Sequence, residues 1–330
     1  LNRKERIITI IKERDKEKEI MRLEALNRRT PASHPEKENV SIDLKKKYSE
    51  VNGEKQVDYS LGFLDEQKYL ELHNLRLEDD NGFFQIDSLL MSAYFNLDVE
   101  VKNWLGTVIF GQNGQVTRRT QDGKEEGFDN PVSQAKTQVY RLQKWLHNHG
   151  FPQLPTEYLV DISYPKTIIT SSSPNINIPH EVIHNNELLF RIQKFEEKYN
   201  KKMLPTKELL TIANALKEAH VPPEIDLLEK YQMSVGDLIR GVFCTECGAV
   251  PMDRDRRKWF CQKCKCYSNT AHIPALNDLK LIVGDFITNR QLRYFLKVDS
   301  ADVIKRIMKK EGYSLIGSRK QSKYRIKLKI

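Results

Sequence analysis

No stretch of this 330-residue chain approaches the eighteen or so consecutive apolar residues of a membrane-spanning helix, so a membrane protein of helical type is not expected. The run from Ile7 to Ile11 is too short for a secretory signal and charges follow it at once, which excludes that class from the expectation as well. No long internal repeat marks an array. Cysteine is scarce: there are five, and four of them lie in two C-x-x-C pairs. That usage suits metal binding in a reducing cytoplasm better than a disulfide framework, and a cytoplasmic location is expected. Acidic residues fall short of basic ones, 45 against 54, for a net charge of +9. With an isoelectric point near 9.1, the balance favours polyanionic partners. The 39% of hydrophobic residues is enough for a core, 30% are charged, and the length allows two or three domains.

The most informative stretch runs from Phe83 to Trp104 and reads as two apolar runs joined by a turn at Tyr94-Phe95-Asn96. Within it stand Asp87, Glu100 and Lys102. A charge inside an apolar hairpin must be paired or hold a metal, because desolvation alone costs several kcal/mol. Residues two apart share a strand face, so Glu100 and Lys102 project together, and Asp87 on the neighbouring strand can reach the same face. Asp87 and Glu100 are then hard oxygen ligands suited to Mg²⁺ or Mn²⁺, and Lys102 is placed to orient water or offset phosphoryl charge. An E-x-K strand is also what any half-exposed strand presents, so this triplet by itself decides nothing.

The flanking motifs carry more. Asn52-Gly53-Glu54 opens a helical segment, Ile86-Asp87 and Glu100-Val101-Lys102-Asn103 follow, and Asn130-Pro131-Val132-Ser133-Gln134 starts another helix. In that order they resemble the nuclease-related domain, NERD, a branch of the PD-(D/E)xK restriction-endonuclease-like superfamily, over residues 48 to 170. The resemblance implies a mixed α/β sheet flanked by helices. It implies a catalytic set of Asp87, Glu100 and Lys102, with Glu54 as a helix-borne acid and Gln134 beside them. Where the family is more uniformly apolar, this chain has Asn-Leu-Asp-Val before Glu100. Asp98 therefore faces the same way and competes for or supplements the metal.

Residues 2 to 29 read as a charged helix with a ragged apolar stripe, free-standing or partner-seeking, through which a protein partner or self-association is expected. A linker follows, closing a segment 1–47. The nuclease-like segment 48–172 contains strands at Leu72–Glu78 and Thr107–Phe110, turns at Asp79–Gly82 and Gly111–Gly114, and a helix begun by Pro131. Glu157–Ile162 and Lys166–Thr170 are expected to close its sheet. Segment 173–240 is a helical accessory region, with helices at Glu187–Tyr199 and Thr206–Ala219. His180 and His184, four apart, have the spacing of a ligand pair, although such a pair is more often ordinary surface chemistry.

Cys244, Cys247, Cys261 and Cys264 have the spacing of a zinc ribbon, assigned to 241–275, in which four thiolates close a structural Zn²⁺ site. Cys266 is left over as an alternative to Cys264, with His272 as a weaker reserve. Between the knuckles Arg254, Arg256, Arg257 and Lys258 interleave with Trp259 and Phe260, as a nucleic-acid contact requires; ring packing of the ribbon is the equal alternative. The last segment, 276–330, has a capping box at Thr288–Gln291 and a basic helix with Lys305, Arg306, Lys309 and Lys310 outward. A hairpin containing Arg319 and Lys320 follows, in the order of a winged helix-turn-helix. A metal-dependent nuclease acting on nucleic acid, expected to be DNA, is the reading all this supports. The alternative is a non-catalytic nucleic-acid-binding adaptor that uses the nuclease-like domain as a docking surface.

Overall fold

The computed structural model describes residues 9–65, 67–318 and 321–329. They divide into two compact units. Of these residues, the first unit joins those up to 16 to those of 48–223, and the second joins 17–47 to those from 224 onward.

The described residues begin with β1 (Thr9–Lys12), α1 (Lys16–Arg29) and α2 (Lys37–Leu61). Three strands follow, β2 (Leu70–Asp79), β3 (Gly82–Met91) and β4 (Asn96–Lys102). Next come β5 (Thr107–Phe110), β6 (Val116–Arg119), β7 (Glu125–Phe128), α3 (Pro131–Asn148), β8 (Thr156–Ile162), β9 (Ile168–Ser171) and β10 (Val182–His184). The first unit ends with α4 (Leu188–Lys198) and α5 (Thr206–Glu218).

Six strands form its mixed sheet in the order β1-β2-β3-β4-β8-β10, antiparallel from β2 to β4 and parallel elsewhere. One face is covered by α3 and α5, whose Leu142, Trp145, Leu146, Leu209, Ile212 and Leu216 bury against Leu72, Ile86 and Leu89. The other face meets α2 and α4 through Val57, Leu61, Leu188 and Ile192 on Leu97, Val99 and Leu159. Alternation explains the division on β4, whose odd residues Leu97 and Val99 point to the α2 and α4 layer. The alternation of β4 also sends Asn96, Asp98, Glu100 and Lys102 together to the α3 side.

Several expectations change. Asn96 is the first residue of β4, not a turn residue; Ser92 closes the turn, its amide and hydroxyl bonding the Phe95 carbonyl at 3.0 and 2.8 Å. Gly53 lies inside the 25-residue α2, not at a helix start. There a Cβ would sit 2.7 Å from both the Asn103 Cβ and the Ser163 Oγ, so only glycine lets α2 approach the ends of β4 and β8 so closely. Residues 168–171 do not close the main sheet: they pair with β5 in a second sheet of order β7-β6-β5-β9. His184 lies in β10 and His180 precedes that strand, so the two share no helix.

The expected free-standing N-terminal helix is not found. Residues 9–12 are an edge strand paired with β2, and α1 buries Leu23, Ala25 and Leu26 in the core of the second unit. Residues 1–8 of that expectation lie outside the described residues. The five segments read from the sequence are thus regrouped: 17–47 shares a core with the ribbon and terminal module, and 173–223 belongs to the nuclease-like unit.

In the second unit, a one-turn helix α6 (Leu227–Lys230) leads to the ribbon strands β11 (Asp253–Asp255), β12 (Lys258–Phe260) and β13 (Tyr267–Ser268). Next are α7 (His272–Val283), β14 (Phe286–Thr288), α8 (Asn289–Leu296), α9 (Ala301–Lys310), β15 (Ser314–Ile316) and β16 (Lys323–Arg325). Helix, strand, helix, helix, strand, strand, with β16 between β14 and β15, is the winged-helix order. Its first helix and strand carry little charge and were missed in the sequence. The buried Arg29 guanidinium pairs with Asp278 at 2.7 Å and lies between the rings of Phe243 and Phe295, which ties α1 to α7 and α8.

Candidate active site and metal centre

Strands β3 and β4 pair only from Ser88 opposite Val99 to Met91 opposite Asn96. Beyond that point they separate, and the side chain of Asp87 enters the gap. Its Oδ2 accepts from the Val101 amide at 3.1 Å, where a strand partner would otherwise bond. Asn74 of β2, in a left-handed conformation with φ 47°, stands at the same level.

Glu100 and Lys102, two apart on β4, meet at 2.6 Å. The Lys102 ammonium also donates to Gln134 Oε1 at 3.0 Å, and Gln138, one helical turn on, donates to Glu100 Oε2 at 3.1 Å. Asn130 caps α3, accepting from the Val132 and Ser133 amides behind Pro131, and so sets which face of the helix carries Gln134 and Gln138. From the opposite layer, α2 brings Glu54. Its Oε1 accepts from Asn74 at 2.8 Å and from Lys16 at 2.6 Å, and Lys16 lies 3.6 Å from Asp87 Oδ1. Asp87, Glu100, Lys102, Gln134 and Glu54 therefore come together.

The electrostatics are strained in one direction. Burial first, and Asp87 second, push the Glu100 carboxyl up to about 7, although Lys102 and Gln138 pull the other way. Asp98 is fully buried, neither of its carboxylate oxygens has a hydrogen-bond partner, and burial, Glu100 and Asp87 hold its pKa well above the ordinary value. Glu54 Oε2 is likewise buried and without a hydrogen-bond partner. Crowded, buried carboxylates rich in hard oxygen, some of those oxygens without a hydrogen-bond partner, fit Mg²⁺ or Mn²⁺ at Asp87 and Glu100. Among the described residues, however, no three carboxylates close around one point; the ammonium groups of Lys16 and Lys102 pair with Glu54 and Glu100.

Sequence reasoning missed Arg14, Lys16, Asn74 and Gln138. Arg14 holds Asp58 with two nitrogens at 2.6 to 3.0 Å and also donates to the Asp87 carbonyl and to Ser88 Oγ. The β-branched run Thr9-Ile10-Ile11 was the available sign that this segment is a strand.

In the ribbon, one ligand atom each from Cys244, Cys247, Cys261 and Cys264 lies within 4.8 Å of the others, a group that could hold one zinc ion. Cys266 stands 3.3 Å from both Cys244 and Cys264. His272 is not in reserve: Trp259 Nε1 donates to its Nδ1 at 3.0 Å, and its Nε2 faces Glu311 at 3.2 Å. Trp259 is fully buried and so serves the core. Arg254 is half-buried over the Trp259 ring and bonds the Arg257 carbonyl, while Arg256, Arg257 and Lys258 are exposed. On α9, Lys305, Arg306, Lys309 and Lys310 are exposed and Ile304, Ile307 and Met308 are buried, as expected. Arg319 and Lys320 lie outside the described residues. No helix among the described residues is long and apolar enough to cross a membrane.

No curated protein and no solved structure matches this chain. The model of the nuclease-related domain does match it, over residues 49–163, the region from the middle of α2 to the end of β8 that holds Glu54, Asp87, Glu100, Lys102 and Gln134. This chain is therefore identified as one that carries a nuclease-related domain, NERD, together with a cysteine cluster compatible with a zinc ribbon.

Proposed function

We propose that this protein is a metal-dependent nuclease that hydrolyses phosphodiester bonds of nucleic acid, DNA foremost, in a reducing cytoplasm. The observation that supports it most is the convergence of Asp87, Glu100 and Lys102 where β3 and β4 part, with Glu54 and Gln134 beside them. A divalent ion, when bound by Asp87 and Glu100, would polarise a phosphoryl oxygen and acidify water. The chain's own residues do the positioning. Val101 fixes Asp87, Gln138 fixes Glu100, and Gln134 aims the Lys102 ammonium, which is placed to donate to a phosphate oxygen as charge develops. The zinc ribbon and the winged-helix module supply Arg256, Arg257, Lys258, Lys305, Arg306, Lys309 and Lys310 for phosphate contact. Arg254, Arg319 and Lys320 belong to the same proposal.

The test is a cleavage assay on linear, nicked, single-stranded and supercoiled DNA with Mg²⁺, Mn²⁺ or a chelator, beside Lys102→Ala. Metal-dependent cleavage by the parent protein, lost in the variant, supports the reading. The adaptor reading is second, and the engagement of the site's carboxylates by Lys16 and Lys102 favours it. Binding without cleavage under every condition would select it.

A further inference from the structure

Resting on that nuclease reading, we propose that Lys16 is a resident cation of the acidic site that takes the place of a second metal ion, so that the site accepts one divalent cation and not two.

Lys16 lies upstream of the matched region, yet the fold pins it there. β1 is fixed by its parallel pairing with β2, and Lys12 at its end is buried with its ammonium 2.9 Å from the His73 carbonyl. Two residues on, Arg14 grips Asp58 of α2 and, through the Asp87 carbonyl and Ser88 Oγ, the backbone and side chains of β3. A segment clamped at 12 and 14 has little freedom at 16. The Lys16 ammonium then lies 2.6 Å from Glu54 Oε1, 3.6 Å from Asp87 Oδ1 and 3.8 Å from Glu50 Oε2, with its side chain 12% exposed. Burial disfavours its charge, but Asp87, Glu54 and Glu50 together hold its pKa above the ordinary lysine value.

The two oxygens of Asp87 have different partners. Oδ1 is the one Lys16 approaches, and Oδ2 is the one that the Val101 amide on β4, the strand of Glu100, bonds. A divalent ion shared by Asp87 and Glu100 leaves the Glu54 pair to Lys16. Two-metal sites bring their ions about 3.5–4 Å apart around a shared carboxylate. Here one of the two positions is covered by a covalently tethered monovalent charge. Without it, Glu54 would keep Asn74 and Arg14, the latter 3.5 Å away, and one oxygen with no hydrogen-bond partner. A buried carboxylate in that condition takes up a cation or a proton.

The experiment is Mn²⁺ binding to the full-length chain, zinc-saturated beforehand, read by equilibrium dialysis and by electron paramagnetic resonance. Parent protein, Lys16→Arg and Lys16→Met are compared. One Mn²⁺ per chain in the parent and in Lys16→Arg, and two with spin–spin coupling in Lys16→Met, is the expected result. Two ions in the parent, or one in a folded Lys16→Met, overturns it. The parent stoichiometry stands as a test even where Lys16→Met does not fold. A parent that cleaves with metal yet binds two ions refutes the role of Lys16 and leaves the nuclease reading intact. A parent that neither binds Mn²⁺ nor cleaves removes both.

Discussion

The amide of Val101 donates to the side chain of Asp87, not to a strand carbonyl, at 3.1 Å. That single substitution of side chain for backbone marks where β3 and β4 part company, and the charged residues gather at the opening. An acid held this way has its Oδ2 fixed by the backbone while its Oδ1 faces the Lys16 ammonium at 3.6 Å, and such second contacts orient a ligand for a divalent ion.

Glu100→Gln and Lys102→Ala are each predicted to lower metal-dependent cleavage by about 10²-fold or more, the first by weakening the hold on the divalent ion and the second by removing the ammonium that meets the phosphate. DNA affinity, measured by fluorescence anisotropy on zinc-loaded protein in buffer without Mg²⁺ or Mn²⁺, should change by less than about threefold, since phosphate contacts elsewhere carry it. Equal cleavage by parent and variants would remove these residues from the mechanism.

Glu100 sets a pH dependence. Its folded value is raised from 4.5 to about 7. The stabilising share from this raised value is fully present below about 4.5 and is lost as pH rises through about 7. Metal binding needs the carboxylate, so apparent Mn²⁺ affinity should fall below about pH 7, by up to about tenfold per pH unit. A calorimetric titration from pH 5.5 to 8 reads this. A flat profile in the parent protein would show that Glu100 is no ligand.

Gly53→Ala tests the approach of α2 to β4 and β8. Alanine gains about 1 kcal/mol of helix propensity over glycine, but overpacking a close contact costs about 1–3 kcal/mol. With two atoms 2.7 Å from the new Cβ, one of them on Asn103 next to Lys102, the clash should win. The expected outcome is a lower Tm and weaker cleavage; a higher Tm would mean that the neighbours yield freely.

Zinc removal should open the ribbon, since so small a segment depends on its ion for folding. Trp259 is fully buried, so a chelator should shift its fluorescence to the red, read in a Trp104→Phe, Trp145→Phe background. In zinc-loaded protein, Trp259→Phe puts a smaller ring in the core and deletes the bond to His272, with an expected loss of about 1–3 kcal/mol in thermal unfolding. An unshifted spectrum after zinc removal would assign the cysteines another role.

Neutralising Lys305, Arg306, Lys309 and Lys310 together should weaken DNA binding at low salt and flatten the plot of log affinity against log salt, by about 0.9 per lost phosphate contact on duplex. An unchanged slope would take α9 off the nucleic acid.

Some of this protein is written in local pattern. The spacing within each C-x-x-C knuckle, the pairing of Glu100 with Lys102, the capping box at Thr288 and the inward stripe of α9 depend on residues a few positions apart, and their geometry follows from the local pattern. What only tertiary structure decided is which distant segments share a core. Thr9–Lys12 reads as part of a charged helix until β2 offers an edge to pair with, and Arg14 and Lys16 become site residues only through that pairing. Gly53 looks like a helix start until the ends of β4 and β8 are laid against it. His272 resembles a spare ligand until Trp259 and Glu311 engage both its nitrogens. Hydrogen bonds and ion pairs between residues tens or hundreds of positions apart leave no periodicity in the chain, so their partners are chosen by packing alone.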